Sequence, residues 1–167
     1  MTDTSSLGME LTPVNLRNVS RALRAEEDGK QLRKELTRSM REALKPGATE
    51  AKSGIMAMSS SGPGVAPALR SSIARKIRPE ARISGKFPGA KIKAKKTPNV
   101  RGFANAAKRT NRAAGWRHPV YGNREVWVQQ HGKVKWFDRA FEGQEARYKR
   151  AVQEPLAEMI NRIASRS

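Results

Sequence analysis

The sequence predicts an α+β fold: a small antiparallel sheet packed by N-terminal helices and a long C-terminal helix, with a basic extended loop or hairpin. Three observations predict it. Leu32, Leu36, Met40 and Leu44 recur every four residues with Lys and Arg between them, the stripe of an amphipathic helix. Val126 and Val128 alternate with Glu125, Trp127 and Gln129, the period of a strand. Phe141, Tyr148, Val152, Leu156, Met159, Ile160 and Ile163 then return at helical spacing to the end of the chain.

Taken in order, residues 1–11 read as a flexible leader, and residues 12–167 as a single domain with a basic central insertion at about 59–115. Thr12-Pro13 is a helix start, a hydroxyl to cap and a proline at the first helical position. Leu16, Val19 and Leu23 continue it, Asp28-Gly29 interrupts it, and a helix over 29–45 follows. Pro46-Gly47 ends or kinks that helix, and 48–58 adds another helical piece bearing Ile55, Met56 and Met58. The run Ser59 to Gly64 has linker composition. A turn or two of helix is expected between Pro67 and Ile73, and an irregular strand from Ile77 to Ile83.

Residues 89–96 read as a strand, because Ala90, Ile92 and Ala94 alternate with Lys91, Lys93 and Lys95. Two placements suit it: a sheet edge, where lysines block further pairing, or a phosphate-facing hairpin with Gly85 to Gly89 as its tip. Residues 100–113 are basic and weakly helical, with Phe103 as the one strong anchor. A helix over 138–165 closes the chain, about 40 Å long at 1.5 Å per residue, with Pro155 expected to kink or split it.

The stretch Gly115 to Phe141 contains Trp116, Trp127, Trp136, Tyr121, Phe137 and Phe141. Each such side chain buries about 150–250 Å², so this stretch is expected to be the core on which the rest packs. Strands at about 117–121 and 125–130 are read within it, with Gly122-Asn123 as the turn.

The formal net charge is +19, from 34 basic and 15 acidic residues. Met1 to Glu50 holds 9 basic and 8 acidic residues, and Glu125 to Ser167 holds 8 and 6. Ala51 to Arg124 holds 17 basic residues and one acid, Glu80. A block of that kind repels itself, so it is either a solvated loop or meets a counter-charge such as nucleic acid, an acidic protein face or an anionic membrane. There is no Cys, which removes disulfides and thiolate metal sites. Met1 to Leu11 lacks the apolar core of a signal peptide, and no apolar run approaches the roughly 20 residues that span a bilayer. The expectation is a soluble protein made in a cytoplasm.

No catalytic constellation emerges, and neither a metal nor a cofactor is expected. His118 and His131 are thirteen apart with Glu125 between them, a spacing that matches no helix-borne His pair. His118, between Arg117 and Pro119, reads as a turn residue bonded to backbone. The acids at 142 and 145 are balanced by Arg147, Lys149 and Arg150, as on a solvated helix face. Zinc-finger, basic-zipper and RNA-recognition signatures are all missing, so any nucleic-acid binding rests on sequence-independent phosphate neutralisation.

Arg117-His118-Pro119-Val120-Tyr121-Gly122-Asn123, followed by Trp127 and Trp136-Phe137, resembles the tail-component (neck or tail-completion) proteins of long-tailed siphophages, especially those of actinobacteria. The order is similar too: a basic amphipathic N-terminal helix, Leu69-Arg70-Ser71-Ser72-Ile73, a basic sheet region, the His-Pro-Val-aromatic-Gly stretch and a closing helix. The resemblance covers the chain from about Pro13 onward.

It implies a non-enzymatic structural protein of the virion, sited at the head-to-tail junction. There it would form a ring, commonly a homohexamer, between the head-completion (connector) ring and the tail-terminator ring, with double-stranded genomic DNA in the lumen. The assembly stretch would comprise Trp116, His118, Pro119, Tyr121, Gly122, Trp127, Trp136 and Phe137. Six copies would carry about 114 net charges, whereas a 40 Å DNA segment presents roughly 24 phosphates. Only a minority of the cations are therefore expected to face DNA, with Lys86, Lys91, Lys93, Lys95 and Lys96 leading them. The alternative is a free, sequence-independent nucleic-acid binder of ribosome- or nucleoid-associated type.

Overall fold

The computed structural model describes residues 7–11, 16–59, 68–100, 102–120 and 122–166. Its elements are β1 (Leu7–Leu11), α1 (Leu16–Ala25), α2 (Gly29–Ala43), α3 (Lys45–Met56), α4 (Ala68–Arg75), β2 (Ile77–Arg82), β3 (Gly89–Ala94), α5 (Ala106–Asn111), β4 (Trp116–Val120), β5 (Asn123–Gln130), α6 (Trp136–Arg139) and α7 (Glu145–Ala164). The fold is α+β, with two small antiparallel sheets, one ordered β1-β3-β2 and the other β4-β5. The helix start at Thr12-Pro13 and most of the linker from Ser59 to Gly64 lie outside the described residues.

The chain packs as two compact units, where the sequence suggested one domain carrying an insertion. One unit gathers Gly8–Ala48, Arg78–Ile92 and Glu142–Ser167. Its helices α1, α2 and α7 form its body. The four-residue stripe of α2 faces inward, with Leu32, Leu36, Met40 and Leu44 all buried. Leu16, Val19 and Leu23 of α1, and Tyr148, Val152, Leu156 and Met159 of α7, supply further buried apolar side chains.

α1 and α2 meet at a tight corner. A Cβ built on Gly29 would come within bonding distance of the Leu23 carbonyl oxygen, so only glycine fits there. Leu44 follows α2, and Pro46 falls in the first turn of α3, where its missing N–H costs nothing. In α7, Pro155 lies inside one continuous helix rather than splitting it. The break comes earlier, at Gly143 with φ +74, which separates α6 from α7.

Ion pairs fasten the end of α7 to the start of α2. Arg162 Nη1 lies 2.8 Å from Glu35 Oε1, and Arg166 Nη1 lies 2.8 Å from Asp28 Oδ1 and 3.6 Å from Glu26 Oε2. The hydrogen bond from Arg166 holds the Asp28 carboxyl below its ordinary value. A lowered carboxyl pKa means a contribution present at neutral pH and lost as pH falls through that lowered value. Titration of Asp28 followed by NMR is expected to give a midpoint below that of an unfolded-chain Asp, and Arg166→Gln is expected to move it back up. An unchanged midpoint would show that the pair does not persist in solution.

Residues 7–11, expected as part of a loose leader, form β1 beside β3. β3 is therefore the middle strand of its sheet, and its reading as a lysine-guarded edge is corrected. The alternation itself holds: Ala90, Ile92 and Ala94 are buried, while Lys91 and Lys93 stand half-exposed on the other face. Lysine on the solvated face suits a central strand as well as an edge, because it is the backbone of β1 that completes the ladder.

The second unit gathers Thr49–Ile77 and Lys93–Phe141. Rather than forming only a solvated loop, the basic middle of the sequence supplies much of its core. Ile73, Ile77, Ala94, Ala106 and Ala107 are buried, with Ala51, Ile55, Trp136, Phe137 and Phe141. Arg70 Nη1 donates to the carbonyls of Met56 and Met58, capping the end of α3 from the start of α4. Thr97, fully buried, donates through its hydroxyl to the carbonyls of Phe103 and Ala104, 2.9 and 3.1 Å away.

A polar knot joins α5 to α6. Trp136 Nε1 donates to Thr110 Oγ1 at 3.1 Å, the Phe137 N–H donates to Asn111 Oδ1 at 2.8 Å, and Asn111 Nδ2 donates to Asp138 Oδ2 at 2.8 Å. Lys135, with φ +54, directs the chain into α6 and donates its own N–H to the Asn111 carbonyl. Asn111→Ala is expected to cost about 1–3 kcal/mol, since it leaves the buried Phe137 N–H unpaired. Denaturant unfolding measures this, and a loss below about 0.5 kcal/mol would show the knot to be incidental.

Candidate functional site

The expected aromatic core divides in two. Trp136, Phe137 and Phe141 are buried and stack edge to face, with ring centroids 5.6 Å apart for the first pair and 5.1 Å for the second. Trp116 is half-buried, its ring 5.2 Å from that of Phe103. Trp127 is 45% exposed, between Val126 at 51% and Val128 at 40%. The expectation that the β4-β5 hairpin lies within the core is thus corrected. Tyr121 lies outside the described residues.

The reason is the alternation. In the antiparallel pairing, His118 faces Val128 and Trp116 faces Gln130 on one side, while Pro119 faces Trp127 and Arg117 faces Gln129 on the other. Apolar residues therefore stand on both faces, and every residue of β5 is exposed. Arg117 lies over the Trp127 ring at 5.9 Å, on the same face as the strand pairing requires. Trp127 Nε1 donates to the Arg124 carbonyl at 2.6 Å, which satisfies the indole and fixes it at the surface.

The base of the hairpin is firmly tied. Gly115 has φ +59, and a Cβ there would collide with the Gln130 carbonyl oxygen. Arg112 Nε donates to the Gly115 carbonyl at 2.6 Å, and the Gln129 amide and the His131 ring bond the carbonyls of Ala114 and Ala113. Toward the tip, the register shifts between Pro119 and Val120, so Arg124, Glu125 and Val126 fall between two consecutive pairs. Gly122, with φ +82, makes the turn. His118 sits in the strand rather than in a turn, with Nδ1 3.0 Å from the Pro119 carbonyl oxygen.

The lysines singled out by the sequence are dispersed. Lys86 lies in the exposed loop after β2, over the Phe87 ring at 5.5 Å. Lys91 and Lys93 lie on the open face of β3, and Lys95 and Lys96 follow it, both exposed. Lys91, Lys93 and Lys95 each already have an interaction within the chain.

A denser basic site is one that sequence reading missed. Lys30, Arg33, Lys34, Thr37 and Arg41 of α2, with Arg82, Ile83 and Ser84 at the end of β2, line a groove of about 580 Å³. The signal lay in the polar side of α2, at positions three, four, seven and eleven beyond Lys30, which reads as ordinary solvated surface until Arg82 is brought beside it.

Among the described residues, no group of three His, Asp or Glu is placed to hold a metal ion, and no helix is long and apolar enough to cross a membrane. No protein-family model matches the chain, and neither a curated protein nor a solved structure does.

Proposed function

We propose that this chain is a structural protein of the head-to-tail junction of a long-tailed bacteriophage, forming a homo-oligomeric neck ring between the head-completion and tail-terminator rings. The observation that carries the reading is the β4-β5 hairpin, whose Val126, Trp127 and Val128 are all exposed, with Trp127 and Val128 on opposite faces of a firmly tied stem. Apolar strands left bare in this way are surfaces for association. In a ring, each hairpin lies against a neighbouring copy, and the bare apolar residues leave water. The α+β architecture with its long closing helix is consistent with the sequence resemblance. Genomic DNA in the lumen would meet part of the positive charge, and Lys86, Lys91, Lys93, Lys95 and Lys96 are proposed among the residues that face it.

Disrupting the gene in a phage that carries it tests this reading. The expected result is filled heads and separate tails that fail to join. Normal numbers of joined, infectious particles would overturn it.

The basic groove on α2 favours a second reading, a free nucleic-acid binder acting as a monomer. The two differ in state: the ring persists in high salt, whereas phosphate-driven binding by a monomer falls steeply with it.

A further inference from the structure

The geometry points to the groove between α2 and the end of β2 as a binding site for the phosphodiester backbone of duplex nucleic acid, read without regard to base sequence. It deepens the neck-ring reading by naming a surface that meets the duplex. The binding itself needs no ring.

Five cations line the groove: Lys30, Arg33, Lys34, Arg41 and Arg82. Among the described residues, no carboxylate does. The acids of α2 are committed elsewhere, Glu35 to Arg162 and Glu42 to Lys45 at 2.6 Å. A concave surface carrying one sign of charge concentrates the field and attracts counter-charge. The groove also carries hydroxyl groups at Thr37 and Ser84, and Arg33 Nη2 donates to Ser84 Oγ at 3.2 Å, which holds its guanidinium across the groove. Thr37 Oγ1 donates to the Arg33 carbonyl, fixing the middle of the stripe.

The shape distinguishes among polyanions. From Lys30 to Arg41 the stripe runs about 16 Å along the helix at 1.5 Å per residue. A duplex presents roughly nine phosphates over that length. Among the described residues no aromatic side chain lines the groove, so they offer no platform for unstacked bases, as a single-strand site would. Ile83 is the one large apolar residue among its described lining, too little to anchor the side chains of an acidic peptide.

The experiment measures binding of the full chain to a short labelled duplex of arbitrary sequence by fluorescence anisotropy, from about 50 to 200 mM salt. The test variant combines Arg33→Gln, Lys34→Gln and Arg82→Gln. The control removes the same charge from α1 with Arg17→Gln, Arg21→Gln and Arg24→Gln. Each lost phosphate contact lowers the slope of log affinity against log salt by about 0.9, so the test variant is expected to lose two to three units of slope and at least about tenfold in affinity.

The control is expected to stay within about twofold of the parent. Equal losses in both variants would overturn the site, because bulk charge alone would then explain binding. So would polyglutamate binding that depends on the groove more than duplex binding does. A companion variant with Arg33→Lys and Arg82→Lys keeps the charge and is expected to retain the slope, which separates loss of contact from loss of fold. The molar mass of each variant reports ring assembly separately, so failure of the groove and failure of the ring are distinguishable.

Discussion

Replacing Trp136 with alanine is expected to destabilise its unit by about 3–5 kcal/mol, the range for deleting a fully buried large aromatic. Trp136 is 1% exposed, packs against Phe137 and donates its indole N–H to Thr110. The backbone of Gly54 in α3 also approaches it: a Cβ on Gly54 would lie 3.3 Å from the Trp136 carbonyl oxygen. The substitution therefore opens a cavity and leaves the Thr110 hydroxyl without its donor. The same change at Trp127 is expected to alter unfolding by less than about 0.5 kcal/mol, as for a surface position. Urea unfolding of the two variants side by side, at a concentration where the chain is monomeric, checks both figures, and similar losses would mean that the hairpin is buried within its own chain.

The second large effect concerns association. Combining Val126→Ser with Trp127→Ser is expected to leave monomer stability nearly unchanged while weakening copy-to-copy contact by about 2 kcal/mol or more, the scale of a single interface hot spot. That corresponds to roughly a thirtyfold loss in affinity at each contact. A closed ring multiplies the loss, because every copy contributes the same hairpin. The concentration at which the assembly dissociates provides the measurement. Unchanged assembly would assign the interface to another surface.

The contrast between these two tryptophans shows where the sequence was legible and where it was not. The stripe at Leu32, Leu36, Met40 and Leu44 announces a helix and its buried face, because a four-residue period has only one structural solution. The alternation at Ala90, Ile92 and Ala94 announces a strand and its inner face equally well. It does not tell which strand lies beside it: Leu7, Met9 and Leu11 of the segment that takes that place alternate in the same period, but a strand period names no partner. Around Trp127 the alternation is as clear, yet burial depends on whether another element covers the hairpin. Nothing within the hairpin encodes that.

Charge was misread for a related reason. A stretch with 17 cations against one acid suggests a solvated loop or a segment that meets a counter-charge. The small apolar residues between them, Ala94, Ala106 and Ala107, instead take the segment into the core, while Lys95, Lys96, Lys108 and Arg112 beside them stay exposed. The groove on α2 was invisible because three of its eight lining residues, Arg82 to Ser84, lie more than forty residues further along. Local spacing finds the helix stripe but not its partner across the fold.

The most direct test of the account is the molar mass of the purified full chain, measured by light scattering in low and high salt. The account predicts a closed assembly of several copies whose mass does not change as salt rises, because the bare apolar hairpin holds it together. A monomer at every salt concentration, gathering only when duplex DNA is added and dispersing as salt increases, would contradict it.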